Sequence, residues 1–320
     1  MRHVIRFSCV AFIASFLFWG CNNDPNPISQ NTKTDRLNFV SQQEFFDTYS
    51  SLSNMSREEL DVWEQKNHHS SLLNSDDQSL LAYSDAFRTV LNTNSEFEIG
   101  DSIIWFYLGN LYAVSKHEEK KLLEIQHNPE AFEAVGCVEI HLVTPNNEDA
   151  LNKVNLGFSG LDARNQYQFT QQSYHPCNGT WKQLVGRRKY VHEIYAQSVA
   201  IKLMDNITQI NSQLYLRIKL EFRNSKGKWR AAGEHRNIDI NVSGSAQLTS
   251  CSSKAISLNA SFNCSGDQTI YLSSNSFLWP SDITSAKGVT NWKVSLNGTI
   301  YQHVRGDNNS NAWVNSGVLW

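Results

Sequence analysis

Residues 214–223 alternate without an error. Leu214, Leu216, Ile218, Leu220 and Phe222 fall on one side, and Tyr215, Arg217, Lys219, Glu221 and Arg223 on the other. Successive side chains of a strand point to opposite faces, so period two makes this stretch a strand with one apolar and one polar face. Asn224-Ser225-Lys226-Gly227 then turns the chain, and Trp229 starts a return strand. Less regular versions recur at 190–203, 238–242, 256–262, 269–272 and 292–296. Asn297-Gly298 follows the last of these and predicts a two-residue hairpin into 299–304. One wet face per strand implies antiparallel sheets, and this many strands imply a sandwich.

Upstream of residue 93 the period is helical. Phe45, Tyr49 and Leu52 share a face, Ser56-Arg57-Glu58-Glu59 offers a capping box, and Leu60 and Trp63 follow at a helical interval. A third helix is predicted over 76–90. The period changes at Glu96, where Phe97, Ile99, Ile103, Trp105 and Tyr107 lead through Leu108-Gly109-Asn110 into a β-hairpin. A short helix within 115–135 would close this module. The expected fold is α+β, mainly β: a small N-terminal helical plus β-hairpin module followed by one or two antiparallel β-sandwiches. The expected divisions are 38–135 for the module, 136–244 for an antiparallel β domain, and 245–320 for a second sandwich or a continuation of the first. Gly244-Ser245 marks the boundary. A hydrophobic content of 40%, with 11% aromatic, is ample for packed cores.

The N-terminus carries an address. Arg2 and Arg6 precede an apolar run from residue 10 to 19, too short for a bilayer that needs about 20 apolar residues, so 1–20 is predicted to be a cleaved signal peptide. Phe18-Trp19-Gly20-Cys21 resembles the lipobox of bacterial lipoproteins, though Phe18 stands in place of the usual Leu and Trp19 is bulky. The resemblance implies that Cys21 is lipid-modified and becomes the mature N-terminus. Polar, Pro-containing residues 21–37 then read as a flexible tether. The stretch from Leu52 to Trp63 with its Met-Ser-Arg-Glu-Glu start, then Leu91-Asn92 and Ile99-Gly100-Asp101, resembles a layout found in exported lipoproteins of Bacteroidetes type. It covers roughly residues 38–115 and implies a location, lipid-anchored to the cell envelope at the outer membrane, without implying an activity.

Loss of Arg2 and Arg6 with the signal takes the formal net charge from −3 to −5, which offers nothing to nucleic acid. Of the cysteines left after Cys9 and Cys21, four allow three disulfide pairings in an exported chain. Cys251 with Cys264 is preferred because a single strand with its turns lies between them, which leaves Cys137 with Cys177.

No catalytic constellation, metal set or cofactor motif emerges. His68-His69 would point about 100° apart on a helix and suits a helix C-terminus better than a metal. His192 and Glu193 fall on opposite faces of one strand, and Glu234-His235-Arg236 lacks a nucleophile motif beside it. Arg187-Arg188-Lys189 could meet an anionic glycan or a lipid headgroup, or simply enter a strand in water. The candidate ligand-binding rings are Trp279, Trp313 and Trp320, which have polar or turn-forming neighbours, whereas Trp229 and Trp292 stand at strand starts and suit a core. The sequence leaves buried and exposed roles open for Trp313 and Trp320. The reading is a membrane-anchored lipoprotein whose partners are the membrane, through its lipid, and a glycan or another surface protein. It would act by non-enzymatic binding; the alternative is a carbohydrate-active protein that binds or hydrolyses glycans.

Overall fold

Residues 35–77, 79–144, 164–249 and 251–320 are described in the computed structural model. The signal segment 1–20, Cys21 and the tether up to residue 34 lie outside them, as does Pro145-Asn146-Asn147, whose composition predicts a turn. The short β1 (Asn38–Phe39) leads into α1 (Gln42–Ser53), α2 (Arg57–Lys66) and α3 (Asp85–Val90). The strands β2 (Glu96–Ile99), β3 (Ser102–Tyr107) and β4 (Asn110–Ser115) follow, then α4 (Lys121–His127). After β5 (Gly136–Leu142) come β6 (Arg164–Tyr174), β7 (Lys182–Met204), β8 (Ile207–Arg223) and the short β9 (Trp229–Ala231). The last five are β10 (Arg236–Leu248), β11 (Lys254–Ser265), β12 (Gln268–Trp279), β13 (Trp292–Val304) and β14 (Trp313–Val318).

These strands make two sheets. The larger has ten strands in the order β1-β2-β3-β4-β5-β7-β8-β12, with β6 beside β7 and β9 beside β8; the smaller runs β11-β10-β13-β14. Only β1 and β2 pair in parallel among these neighbours. The long β7–β8 hairpin is the spine: β7 pairs with β6 up to Glu193 and with β5 from Tyr195 onward, so one strand joins the N-terminal strands to the sandwich.

Alternation along β7 explains the layering. Ile194 and Ala196, with Leu214, Leu216 and Ile218 of β8, face the smaller sheet and pack on Ile240, Val242, Trp292 and Leu296. The opposite face carries Val199 and Ile201, which join Phe45, Tyr49, Phe87 and Phe97 in a second core beneath the helices. Every residue from 188 to 201 is buried, and around Gln197, Val199 and Ile201 the solvated sheet face expected from the sequence is covered by helix. The fold is α+β, mainly β, in three layers: helices, the ten-stranded sheet and the four-stranded sheet.

Local chemistry sets the helix ends. Glu59 N–H donates to Ser56 Oγ (3.3 Å) while Ser56 N–H donates to Glu59 Oε2 (2.7 Å), the reciprocal pair the spacing predicts. The third helix is shorter than predicted and starts at Asp85. Ser84 Oγ accepts from Phe87 N–H (3.2 Å) and its own N–H donates to Gln197 Oε1 (2.6 Å), bonds that replace the helical ladder at that point. The fold also begins before residue 38: Arg36 pairs with Glu96 (2.7 Å) and Glu119 (2.6 Å), and Leu37 packs on the helical core.

A boundary signal and a turn signal are overruled by packing. Gly244-Ser245 lies inside β10, opposite Leu296 and Ser295 of β13, and Asn297-Gly298 lies inside β13, flanked by β10 and β14. Both glycines mark close backbone approach: a Cβ on Gly244 would come within 1.9 Å of Ser295 O, and one on Gly298 (φ +137°) within 2.1 Å of Asn241 O. Gly244→Ala is therefore expected to destabilise the protein by about 2–3 kcal/mol in chemical denaturation. A change below about 0.5 kcal/mol, normal for an exposed linker, would contradict its place in the strand.

Candidate functional site

The cysteines are arranged differently from the expected pairing. Cys177, at the tip of the β6–β7 hairpin, is bonded to Cys264 at the end of β11, with Cα atoms 5.8 Å apart, and Cys137 and Cys251 are free. Geometry forbids Cys251–Cys264, because β11 is an extended strand between them and places them about 30 Å apart at ~3.4 Å per residue. Cys137 sits at the start of β5 among Ala200, Ile210 and Ile283, where burial pushes its thiol up to about 11.

The three candidate rings separate. Trp320 is 1% exposed in the sandwich core, so it presents no face to a ligand. Trp279 lies against Phe277, Ile283 and Ala286, its indole N–H donating to Ser285 Oγ (3.1 Å). Trp313 closes the gap between β6 and β14: one neighbour is the His192 ring, stacked at 4.2 Å, and beyond it lie Tyr167 at 6.1 Å and Tyr190 at 6.4 Å. It is half-buried, and the rings behind it are packed rather than open. Of the strand-start pair, Trp292 is in the core, while Trp229 is half-buried with the Lys189 ammonium 4.8 Å from its ring centroid.

Behind Trp313 is a polar end of the sandwich. His192 is fully buried, its two ring nitrogens facing the amide nitrogens of Gln302 (2.7 Å) and Asn315 (3.2 Å); a neutral imidazole accepts a hydrogen bond from one of them at its unprotonated nitrogen. Burial, and then the charge of Arg236, pull its pKa down to about 3. Arg236, equally buried, donates through Nη2 to Gly266 O and Asp267 Oδ1, both at 2.7 Å. A histidine held neutral in the folded state and free to charge in the unfolded one lets the unfolded chain bind more protons below its ordinary pKa of 6.5. Stability is thus full above pH 6.5 and falls as pH drops toward 3. At pH 5 the loss is about 2 kcal/mol, with the same sign from His69 and His141, whose pKa values burial also lowers. Denaturant midpoints from pH 8 to 5 check this: His192→Gln should flatten the profile, and an unchanged slope would contradict the assignment.

A second polar layer lies under the helices. Gln197 donates to Tyr49 Oη (2.7 Å) and accepts from Ser84 N–H, and Gln213 accepts from Ser53 Oγ (2.7 Å) and from Tyr215. Beside it Arg217 lies over the Tyr195 ring (4.0 Å) and shares Glu193 with Lys219 (3.2 and 2.8 Å). Burial raises the Tyr49, Tyr195 and Tyr215 hydroxyls, which keeps them neutral donors. These bonds fix the helices in register on β7 and β8. The remaining charged motifs are similarly engaged: Glu234 takes Arg188 (2.9 Å), His235 meets Tyr174 Oη (2.8 Å), and buried His69 Nε2 bonds Thr89 O (3.0 Å).

Open space is found at the surface. One depression of about 810 Å³ beside α2 is lined by Asp61, Glu64, His68, Ser70 and Asn74; its carboxylates already accept from Asn74 (3.2 Å) and from Ser71. Another, about 520 Å³, is a groove between the first turn of α1 and the face of β8 and β12 beyond the helix layer. Leu203, Phe277 and Leu278 give it apolar walls, and Gln42, Gln209 and Ser276 give it polar groups. Two of the lining residues, Leu203 and Leu278, are exposed by 43% and 59%. A groove of this size with apolar walls and a few polar groups suits a ligand or a partner's side chains. Sequence alternation missed it, because its walls come from strand ends and a helix start far apart in the chain. Among the described residues there is no grouping of three or more metal-binding side chains.

No protein-family model matches the sequence, and no curated protein matches it significantly. Among solved structures, a DUF4848 family protein from Bacteroides thetaiotaomicron VPI-5482 aligns with 89% of this chain and 97% of its own, at 12% identity and a TM-score of 0.19. At that score the likeness carries no argument about fold or activity.

Proposed function

We propose that this is an exported protein, anchored to the outer membrane through lipid on Cys21, which acts by non-enzymatic binding through the groove beside α1. The groove carries the reading: its exposed leucines cost solvation and contribute nothing to either core, as expected of a surface that meets a partner. The Cys177–Cys264 disulfide supports an oxidising compartment. Among the described residues no helix is long and apolar enough to cross a membrane.

A photo-crosslinking residue at Leu278 on intact cells is expected to give a discrete covalent adduct. The same residue at Ser257, exposed on β11 of the other sheet, is expected to give none. Equal labelling at both positions, or no adduct at Leu278, would contradict the groove as the binding surface.

A further inference from the structure

The end of the molecule opposite the β7–β8 turn has a different surface. There the β6–β7 hairpin overhangs β8: β6 and β7 remain paired out to Tyr174 and Lys182, whereas β8 ends one residue past the Arg188–Phe222 pair. The overhang is held onto the second sheet. Cys177 is bonded to Cys264, His175 N–H donates to Arg305 O (2.8 Å), and the N–H groups of Gln172 and Ser173 donate to Asp307 Oδ1 (2.9 and 3.1 Å). The tip is thus built in place before any partner arrives.

This tip concentrates positive charge on a chain that is acidic overall. Lys182, Arg187, Arg223, Lys226, Lys228 and Arg230 are all exposed, and none is in an ion pair among the described residues. The nearby carboxylates are already engaged: Glu234 has Arg188, Glu221 has Lys189 (2.9 Å), Asp267 has Arg236 (2.7 Å), and Asp307 accepts from Gln172 and Ser173 N–H and from Asn311 Nδ2. Between the cations stand apolar side chains in water, Trp181 at 57% exposed, Val185 at 60% and Leu184 at 36%.

We propose that this tip docks on the anionic headgroups of a membrane surface, with Trp181 and Val185 seated at the boundary between headgroups and acyl chains. Charge complementarity alone would equally suit a soluble polyanion. The apolar side chains favour the bilayer, since a sulfated or carboxylated polymer gains nothing from Val185 or Leu184, whereas the interface rewards tryptophan and aliphatic groups beside lysine and arginine. The inference rests on the envelope location proposed above, and gives the anchored protein a second, orienting contact.

The test uses the chain from Asp35 onward, which is one compact unit with its own cores and carries no lipid, so its result is independent of what happens at Cys21. It should co-sediment with vesicles containing phosphatidylglycerol at low salt, release at high salt, and ignore pure phosphatidylcholine. Replacing Lys226, Lys228 and Arg230 together by Gln should weaken binding on the order of a hundredfold, at about fivefold per cation. Trp181→Ser with Val185→Ser should weaken vesicle binding while leaving any binding to heparin unchanged, with circular dichroism confirming the fold of each variant. Three results would overturn the proposal: no binding to anionic vesicles, equal binding to neutral ones, or tight heparin binding with vesicle binding indifferent to Trp181 and Val185.

Discussion

A chain ending at Val318 will be less stable than the full chain by about 5 kcal/mol or more, with its melting temperature lowered by roughly 10–20 °C. Two residues at a terminus are ordinarily dispensable. Here Leu319 N–H donates to Leu296 O (2.8 Å), Leu296 N–H donates to Trp320 O (3.0 Å), and both side chains are buried to 1% exposure between the sheets. Truncating a buried tryptophan costs about 3–5 kcal/mol and a buried leucine about 2–5 kcal/mol, partly overlapping when the two are in contact. That sum approaches the whole stability of an ordinary domain, so expression of the truncated chain in inclusion bodies is also consistent. Differential scanning calorimetry of the two chains decides it: a shift of less than about 3 °C would mean that the last two residues are not part of the core.

Loss of the Cys177–Cys264 bond is the second large effect. It closes a loop with a sequence separation of 87. Releasing a loop of that size adds conformational entropy to the unfolded chain worth about 3–4.5 kcal/mol. Cys177→Ser should therefore lower the denaturation midpoint strongly, and Cys264→Ser by the same amount, with the double variant no worse than either. Cys251→Ser should cost less than about 1 kcal/mol. The pairing expected from the sequence predicts the reverse, a large loss at Cys251 and nothing shared between Cys177 and Cys264.

These contrasts show what local pattern can and cannot carry. The helix start at Ser56 and the alternating strand around Leu216 are legible because their causes lie within a few residues: a side-chain cap, a period. Gly244 reads as a boundary and Gly298 as a turn in sequence, yet both lie within strands, because the reason for glycine there is a backbone from another strand, not a local bend. The disulfide follows from where β6 and β11 end in space, which spacing along the chain does not encode. Trp320 reads as a terminal aromatic until β14 pairs with β13 and brings it over the core. The groove beside α1 is the extreme case, assembled from residues 41–43, 203, 209 and 276–278 with no shared motif.

Intact mass spectrometry of the mature protein from the membrane fraction decides whether the fold is held at the envelope by lipid on Cys21, as we propose. The expected species is a chain starting at Cys21 and carrying a diacylglyceryl group on that cysteine, with or without a further acyl chain on its amine. A mature chain with an unmodified Cys21, or one cut at another position, would contradict it.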